Sequence, residues 1–333
     1  MNHSIEIEPP VIAPYRNGNT GVDYVHVLDS GKPGPNVMVQ ALTHGNEYCG
    51  AIALDFLFKK KIFPQKGKLT LAFANVAAYA RFDFNDPDRS RYIDEDYNRV
   101  WGDDALRGPR DSAELRRARE LRPFVDAADL LLDLHSMHEP CRPIMVCGAQ
   151  GRGGEKSAAF AGRIGVPADL LIDTGHPAGL RMIERGRFGD PASAKTAVLI
   201  ECGQHWEQSA AEVAVDTMFR FLLATGAVDA SICKSHARSA PPAAQKLVCV
   251  TEAVVAKSMD FRFPYLFKGL EVIPKAGTVV ATDGDRTWKT PYDDCVMVMP
   301  SLAHLQPGTT VLRLGKYDQD YLRSLPQSSS SRA

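Results

Sequence analysis

Four side chains carry most of the chemistry this sequence suggests, and each stands where an apolar run meets polar residues. The run NVMVQALTHGNE ends with His44 and Glu47, LLLDLHS ends with His135, and TAVLIECGQHWE sets Glu201 behind an apolar stretch. Ligands of open parallel sheets gather outside the carboxyl ends of the strands, so these three ends are where a site is expected. A His and a Glu three apart, at the turn into a helix, can point at one ion, and the Gly45-Asn46 pair permits the tight backbone this needs. With His135 added, two imidazoles and one carboxylate make a donor set suited to catalytic Zn²⁺, with a fourth position open for water. The competing reading has His44 and His135 as core histidines satisfied by backbone groups. It leaves unexplained why both sit at strand ends beside carboxylates.

The segment NVAAYARFDFNDPDRSRYIDEDYNRVWGDD lies between the first two of these ends. Within it SRYIDEDYNRVW, taken with THGNE and DLHS, resembles the succinylglutamate desuccinylase and aspartoacylase family, part of the wider zinc carboxypeptidase-like group. The order also fits: His-x-x-Glu, then an Asn-Arg pair, then Asp-x-His, then a Glu ending a later strand. The resemblance spans roughly residues 35 to 225, with the tail matching loosely.

That resemblance implies one Zn²⁺ per chain held by His44, Glu47 and His135, with Glu201 as general base and Asp96 orienting His44. It also implies that Arg91 attends the reacting carbonyl, while Asn98 and Arg99 hold a substrate carboxylate. Tyr292 stands where the family contributes a tyrosine from its β domain. The chemistry is consistent: zinc lowers the pKa of its water to about 7, a nearby carboxylate can take and return the proton, and guanidinium groups can pair with a carboxylate or steady an oxyanion.

The expected reaction is hydrolysis of the amide bond of an N-acyl amino acid or a related small amide. A carboxypeptidase acting on short peptides would use the same groups. A non-catalytic binding protein on the same fold would have no use for Glu201. His138, Glu139, His205 and Trp206 either line the pocket or are ordinary loop residues, and Asp133 shares the strand face of His135. The sequence departs from the family pattern in a longer, more charged Ala80 to Ser90 stretch. It also offers Arg181, Arg185 and Arg187 without showing which one reaches the site.

The elements that must position these groups alternate. Apolar strand-like runs at Asn36–Leu42, Leu69–Phe73, Leu130–Leu134, Ile144–Cys147, Leu170–Asp173 and Thr196–Ile200 are interleaved with helical segments at Tyr48–Lys61, Ser112–Ala127 and Glu207–Ala224. This is the pattern of an α/β fold: a mixed, mostly parallel sheet with helices on both faces. A Pro, Ala and Ser rich stretch, SHARSAPPAAQ from Ser235 to Gln245, precedes short strand-like runs at Leu247–Val255, Thr278–Thr282, Cys295–Met299 and Thr310–Leu314. The expected organisation is a catalytic domain over 1–235, a small all-β domain over 246–322 and a disordered tail over 323–333.

Composition removes several classes of function. With 39 Lys plus Arg against 40 Asp plus Glu, the formal charge of −1 offers no field for nucleic acid or anionic lipid. No stretch reaches the roughly 18 apolar residues of a spanning helix, and the start MNHSIEIEPP lacks the pattern of a signal peptide. The expectation is a cytoplasmic protein with a small-molecule substrate that carries a carboxylate, and homo-oligomer formation stays open. The 7 cysteines are scattered, with no Cys-x-x-Cys pair, and are expected as reduced thiols. GAQGRGGEKS fails as a phosphate loop because Glu155 separates Gly154 from Lys156. Neither a nucleophile elbow, a His-Glu-x-x-His nor a dinucleotide fingerprint is present.

Overall fold

Alternation of buried residues along the strands sets the architecture of the protein, seen here in a computed structural model that describes residues 3–238 and 244–325. The strands are β1 (Val25–Asp29), β2 (Asn36–Ala41), β3 (Lys68–Phe73), β4 (Leu130–Met137), β5 (Ile144–Ala149), β6 (Asp169–Asp173) and β7 (Thr196–Gln204). After the linker come β8 (Lys246–Val255), β9 (Glu271–Ile273), β10 (Val279–Asp283), β11 (Arg286–Lys289), β12 (Cys295–Val298) and β13 (Thr310–Tyr317). Eleven of them form one sheet in the order β1-β3-β2-β4-β7-β5-β6-β8-β13-β12-β9, and β10 pairs with β11 separately. The centre of the sheet is parallel, except that β5 runs antiparallel to β7, and the C-terminal all-β region pairs antiparallel throughout.

Successive side chains of a strand point to opposite faces, so each central strand serves two cores. Val37, Val39, Leu132, Leu134, Val198 and Ile200 face the helices Cys49–Lys59, Gly154–Ile164 and Gln208–Thr225. Met38, Leu131, Ala197 and Leu199 face the helix Ala113–Ala127 through its Leu115, Ala118, Leu121 and Val125. Each such buried aliphatic side chain stabilises the fold by roughly 1.5–3 kcal/mol relative to exposure. The helix Ala113–Ala127 starts where Ser112 Oγ accepts from Leu115 N–H at 3.0 Å, an N-cap that satisfies one of the first-turn donors.

Hydrogen bonding runs straight across the change of composition near residue 240. β6 pairs with β8 in parallel, from Asp169 opposite Lys246 to Ile172 opposite Cys249, so the C-terminal strands continue the main sheet. The linker stretch 235–245 begins inside the helix Ala230–His236, and its residues 239–243 lie outside the described residues. The expected tail begins within the helix Gln319–Ser324, which contains Arg323, and residues 326–333 lie outside the described residues. Among the described residues, no helix is long and apolar enough to cross a membrane. All seven cysteines are free thiols, and five are buried.

Candidate active site

The carboxyl ends of β2, β4 and β7 converge on one cavity. Its non-atom space, part of it open to solvent, is about 990 Å³, and His44, Glu47, His135 and Glu201 all line it. His135 and Glu201 are register partners on the neighbouring parallel strands β4 and β7, which puts both on one face of the sheet. His44 and Glu47 arrive from the turn between β2 and the helix Cys49–Lys59. Gly45 is required there by close approach: a Cβ at this position would lie 2.2 Å from Ser90 O and 2.4 Å from Tyr79 N. The same contact brings up the Arg91 backbone, whose carbonyl accepts from Gly45 N–H at 3.1 Å.

The geometry of the histidines is directional. His44 Nδ1 lies 2.8 Å from Glu47 Oε1, and His135 Nδ1 lies 2.9 Å from Glu47 Oε2. Behind the rings, His44 Nε2 meets Asp96 Oδ1 at 3.0 Å and His135 Nε2 meets Asp133 Oδ2 at 2.8 Å. Donor atoms of His44, Glu47 and His135 all fall within 4.8 Å of one another, and all three residues are buried. Two imidazoles presenting one nitrogen to a shared point, each with a carboxylate on its far nitrogen, is the arrangement metal-binding histidines adopt. This donor set fits a divalent cation.

Electrostatics follow from burial and close charges. Burial alone would raise the carboxyls of Glu47 and Asp96, yet His44 and His135 hold Glu47 well below its ordinary value, and Arg99, His44 and Arg91 do the same for Asp96. Glu201 behaves oppositely: burial pushes it up to about 8, outweighing the pull of His135 and Arg91, which Glu47 and Asp133 offset only in part. Its Oε2 is buried without a hydrogen-bond partner among the described residues.

The loop from Arg91 to Arg99 is pinned from the first turn of the helix Ala113–Ala127. Glu114 of the helix Ala113–Ala127 is buried and accepts from the backbone N–H groups of Ile93, Asp94 and Glu95 at 2.7, 3.0 and 3.2 Å. Held this way, Arg91 donates to Glu47 Oε1 at 2.9 Å, and Asp96 caps the short 3-10 helix Tyr97–Arg99. Asn98 Oδ1 accepts from Met182 N–H at 3.0 Å, which turns its amide NH₂ the other way. Arg91, Asn98 and Arg99 all line the cavity.

Several expected residues sort differently. Tyr292 is not among the cavity residues: its hydroxyl bonds Thr251 Oγ1 at 2.7 Å, and its ring packs on the apolar cluster of the C-terminal strands. Of the three arginines before β7, Arg181 alone lines the cavity, and it is committed to Asp173 at 2.7 and 2.8 Å and to Glu184. Arg185 pairs with Asp126 and Asp103 instead, and Arg187 is exposed. Asp133, left open by the sequence, orients His135. His138 lines the cavity between Asp88 at 3.2 Å and Glu139 at 3.1 Å, and His3, His138 and Glu139 form a second, half-buried group of potential donors. Its two carboxylate partners favour an ion-pair cluster there. His205 lines the cavity with its Nδ1 against Ser136 Oγ, and burial pushes it down to about 3.

Two residues that sequence reasoning passed over also line the cavity: His176, and Arg313 of β13. An arginine flanked by apolar residues in TVLRLGKY was the available signal.

A mostly parallel sheet thus carries a His–Glu–His group fit for a metal at its carboxyl edge. Residues 33–225 match the succinylglutamate desuccinylase/aspartoacylase catalytic domain, and the chain belongs to that family. The family relation supports a deacylase. A succinylglutamate desuccinylase from Vibrio cholerae aligns with a TM-score of 0.66 over 90% of this chain and 88% of its own, at 17% identity. A succinylglutamate desuccinylase/aspartoacylase from Rhodobacter sphaeroides aligns at 0.62, covering 89% of each chain at 16% identity. The product-bound ectoine utilization protein EutE (DoeB) from Ruegeria pomeroyi aligns at 0.60, covering 88% of each chain at 16% identity. At these identities the likeness is one of fold. No curated protein matches by sequence.

Proposed function

We propose that this protein is a zinc-dependent amidohydrolase that cleaves the amide bond of an N-acyl amino acid or a related small amide. The observation that carries the reading is the paired orientation of His44 and His135, each with Nδ1 toward Glu47 and Nε2 on a carboxylate. One Zn²⁺ held by His44, Glu47 and His135 would supply an acidified water and a Lewis acid for the acyl carbonyl.

The remaining work falls to the chain itself. Glu201 is shielded from solvent and pushed up to about 8 by burial, which suits a group that takes a proton from the attacking water and returns it to the leaving amine. Arg91 is well suited to steady negative charge growing on the carbonyl oxygen. The Asn98 amide NH₂ and the Arg99 guanidinium offer donors for a substrate carboxylate. Pro300, Ser301 and His304 of the C-terminal region also line the cavity, a partial cover that favours small substrates over long peptides. The free thiols fit a reducing compartment, and we read the site of action as the cytoplasm.

The test is metal analysis coupled to a hydrolysis panel of N-acetyl amino acids, N-succinyl amino acids and dipeptides. The expected result is about one zinc per chain, activity lost on chelation and restored by Zn²⁺, and turnover of N-acyl amino acids above dipeptides. An active enzyme that is free of zinc and indifferent to chelators would end this reading.

A further inference from the structure

His3, His138 and Glu139 form a group that the proposed hydrolysis leaves unused. His138 and Glu139 follow directly on β4, while His3 comes from the opposite end of the catalytic region. The segment that carries His3 is docked: Glu6 N–H donates to Trp206 O and the Tyr48 hydroxyl to Ile7 O, both at 2.9 Å, and Ile7 and Ile12 are buried in the main core. Docking sets the His3 ring edge-on to that of His138, with centroids 5.1 Å apart.

The donor atoms stand close to ligand spacing. His3 Nε2 lies 3.4 Å from Glu139 Oε2, His138 Nδ1 lies 3.1 Å from Glu139 Oε1, and one donor from each of the three residues falls within 4.8 Å of the others. Zinc bonds at tetrahedral angles put neighbouring donors roughly 3.3–3.6 Å apart, so small side-chain turns close this group on one ion. His3 Nε2 is buried and makes no hydrogen bond among the described residues, despite the carboxylate beside it. A buried ring nitrogen left unbonded is a cost that a metal bond removes.

The contacts of His138 divide as those of the main-site histidines do. Its Nδ1 turns to the shared carboxylate, and its Nε2 meets Asp88 Oδ2 at 3.2 Å, a carboxylate behind the ring that fixes its orientation. Asp88 is itself held, since Asn46 donates to its other oxygen at 3.2 Å. Without a cation these contacts are the ion-pair cluster; with one, the metal takes the place of the ring proton on Nδ1. The His3 and His138 side chains keep 15% and 14% exposure, which gives an ion a way in.

We infer that His3, His138 and Glu139 form a second site for a divalent transition-metal ion such as Zn²⁺, one that staples the segment before Ile5 to the rim of the cavity. It is weaker than the His44–Glu47–His135 group and fills only when zinc is in excess, because half-buried groups that already pair must give up those pairs. Two imidazoles and one carboxylate select Zn²⁺, Ni²⁺ or Co²⁺ over Mg²⁺ and Ca²⁺, which take oxygen ligands. The site does not depend on the deacylase reading.

The test uses the untagged full chain, stripped by chelation and titrated with Zn²⁺ against a chromophoric chelator. Wild type is expected to take two equivalents in two affinity classes. H3Q and E139Q should each keep the tighter equivalent and lose at least tenfold in affinity for the weaker one. In a melting scan, Zn²⁺ beyond one equivalent should raise the melting temperature of wild type but not of H3Q, and Mg²⁺ at equal concentration should raise neither.

A titration that ends at one equivalent, a second equivalent that H3Q or E139Q leaves intact, or equal melting shifts in wild type and H3Q overturns the site. Binding that needs His3 but not Glu139 would place the ion on the chain terminus alone and counts against it. A second equivalent that depends on both residues, in a chain without deacylase activity, keeps the site and removes the deacylase reading.

Discussion

Asp133 receives the Nε2–H of His135 at 2.8 Å while its other oxygen accepts from Thr43 Oγ1 at 2.8 Å, so the carboxylate that aims the ring is itself held from the turn after β2. Removing it frees the imidazole to rotate and lowers its basicity. Asp133→Ala should weaken Zn²⁺ binding by roughly 10–100-fold, measured by competition with a chromophoric chelator. Undiminished affinity would mean the pairing does not orient a ligand.

Glu201→Gln keeps the shape of the side chain and removes the proton acceptor. Turnover should drop by roughly 10²–10⁴ while the metal content stays that of wild type. A variant that keeps full activity would show that some other group handles the proton.

Arg181 is buried and shared by Asp173 and Glu184, two carboxylates that would be stranded without it. Arg181→Met should cost about 3–5 kcal/mol in denaturant unfolding, because the loss leaves uncompensated charge in the interior. Exposed Arg187→Ala should stay within about 0.5 kcal/mol. Equal effects at the two positions would contradict the division made here.

The cluster around His138 sets a pH window. Burial opposes the charged ring, but Asp88 and Glu139 push His138 up to about 9. Unfolded histidine titrates near 6.5, so the native state binds the proton more tightly. The stabilisation is complete below about 6.5 and fades as pH climbs through about 9. His138→Gln should therefore lower the melting temperature relative to wild type at pH 6, with the gap closing by about pH 9.5. A gap that widens with pH would reverse the sign argued here.

Tyr292→Phe removes one hydroxyl that bonds Thr251 away from the cavity. Stability should fall by about 0.5–1.5 kcal/mol, with kcat/KM on the best substrate unchanged. A tenfold loss of kcat/KM at wild-type stability would return this tyrosine to the substrate.

The helices and central strands were legible because period and composition agree along them: NVMVQA alternates between two apolar cores, and Ser112 announces its helix with a capping hydroxyl. His44, Glu47, His135 and Glu201 were singled out because strand ends concentrate polar groups, a local signal. Arg313 and Glu114 escaped for the opposite reason. A strand arginine reads as edge or surface until its neighbours are known, and the carboxylate that pins residues 93–95 lies about twenty positions downstream of them. For Tyr292, nothing in WKTPYDDCVMVMPS tells that the ring, in the bend between β11 and β12, packs on the apolar cluster of the C-terminal strands. The short strands β1, β9 and β11 escaped because three to five residues give too little alternation to read.

The ladder between β6 and β8 has a practical corollary. A chain cut after residue 238 would retain all four groups that meet at the carboxyl edge, yet it would bare the amide flank of Asp169–Asp173, five buried residues in a row. Such a flank recruits other chains, so the shortened protein should precipitate before its chemistry can be assayed. Anyone grafting a new selectivity onto this scaffold must replace strands within a continuous slab rather than exchange a bolt-on lid.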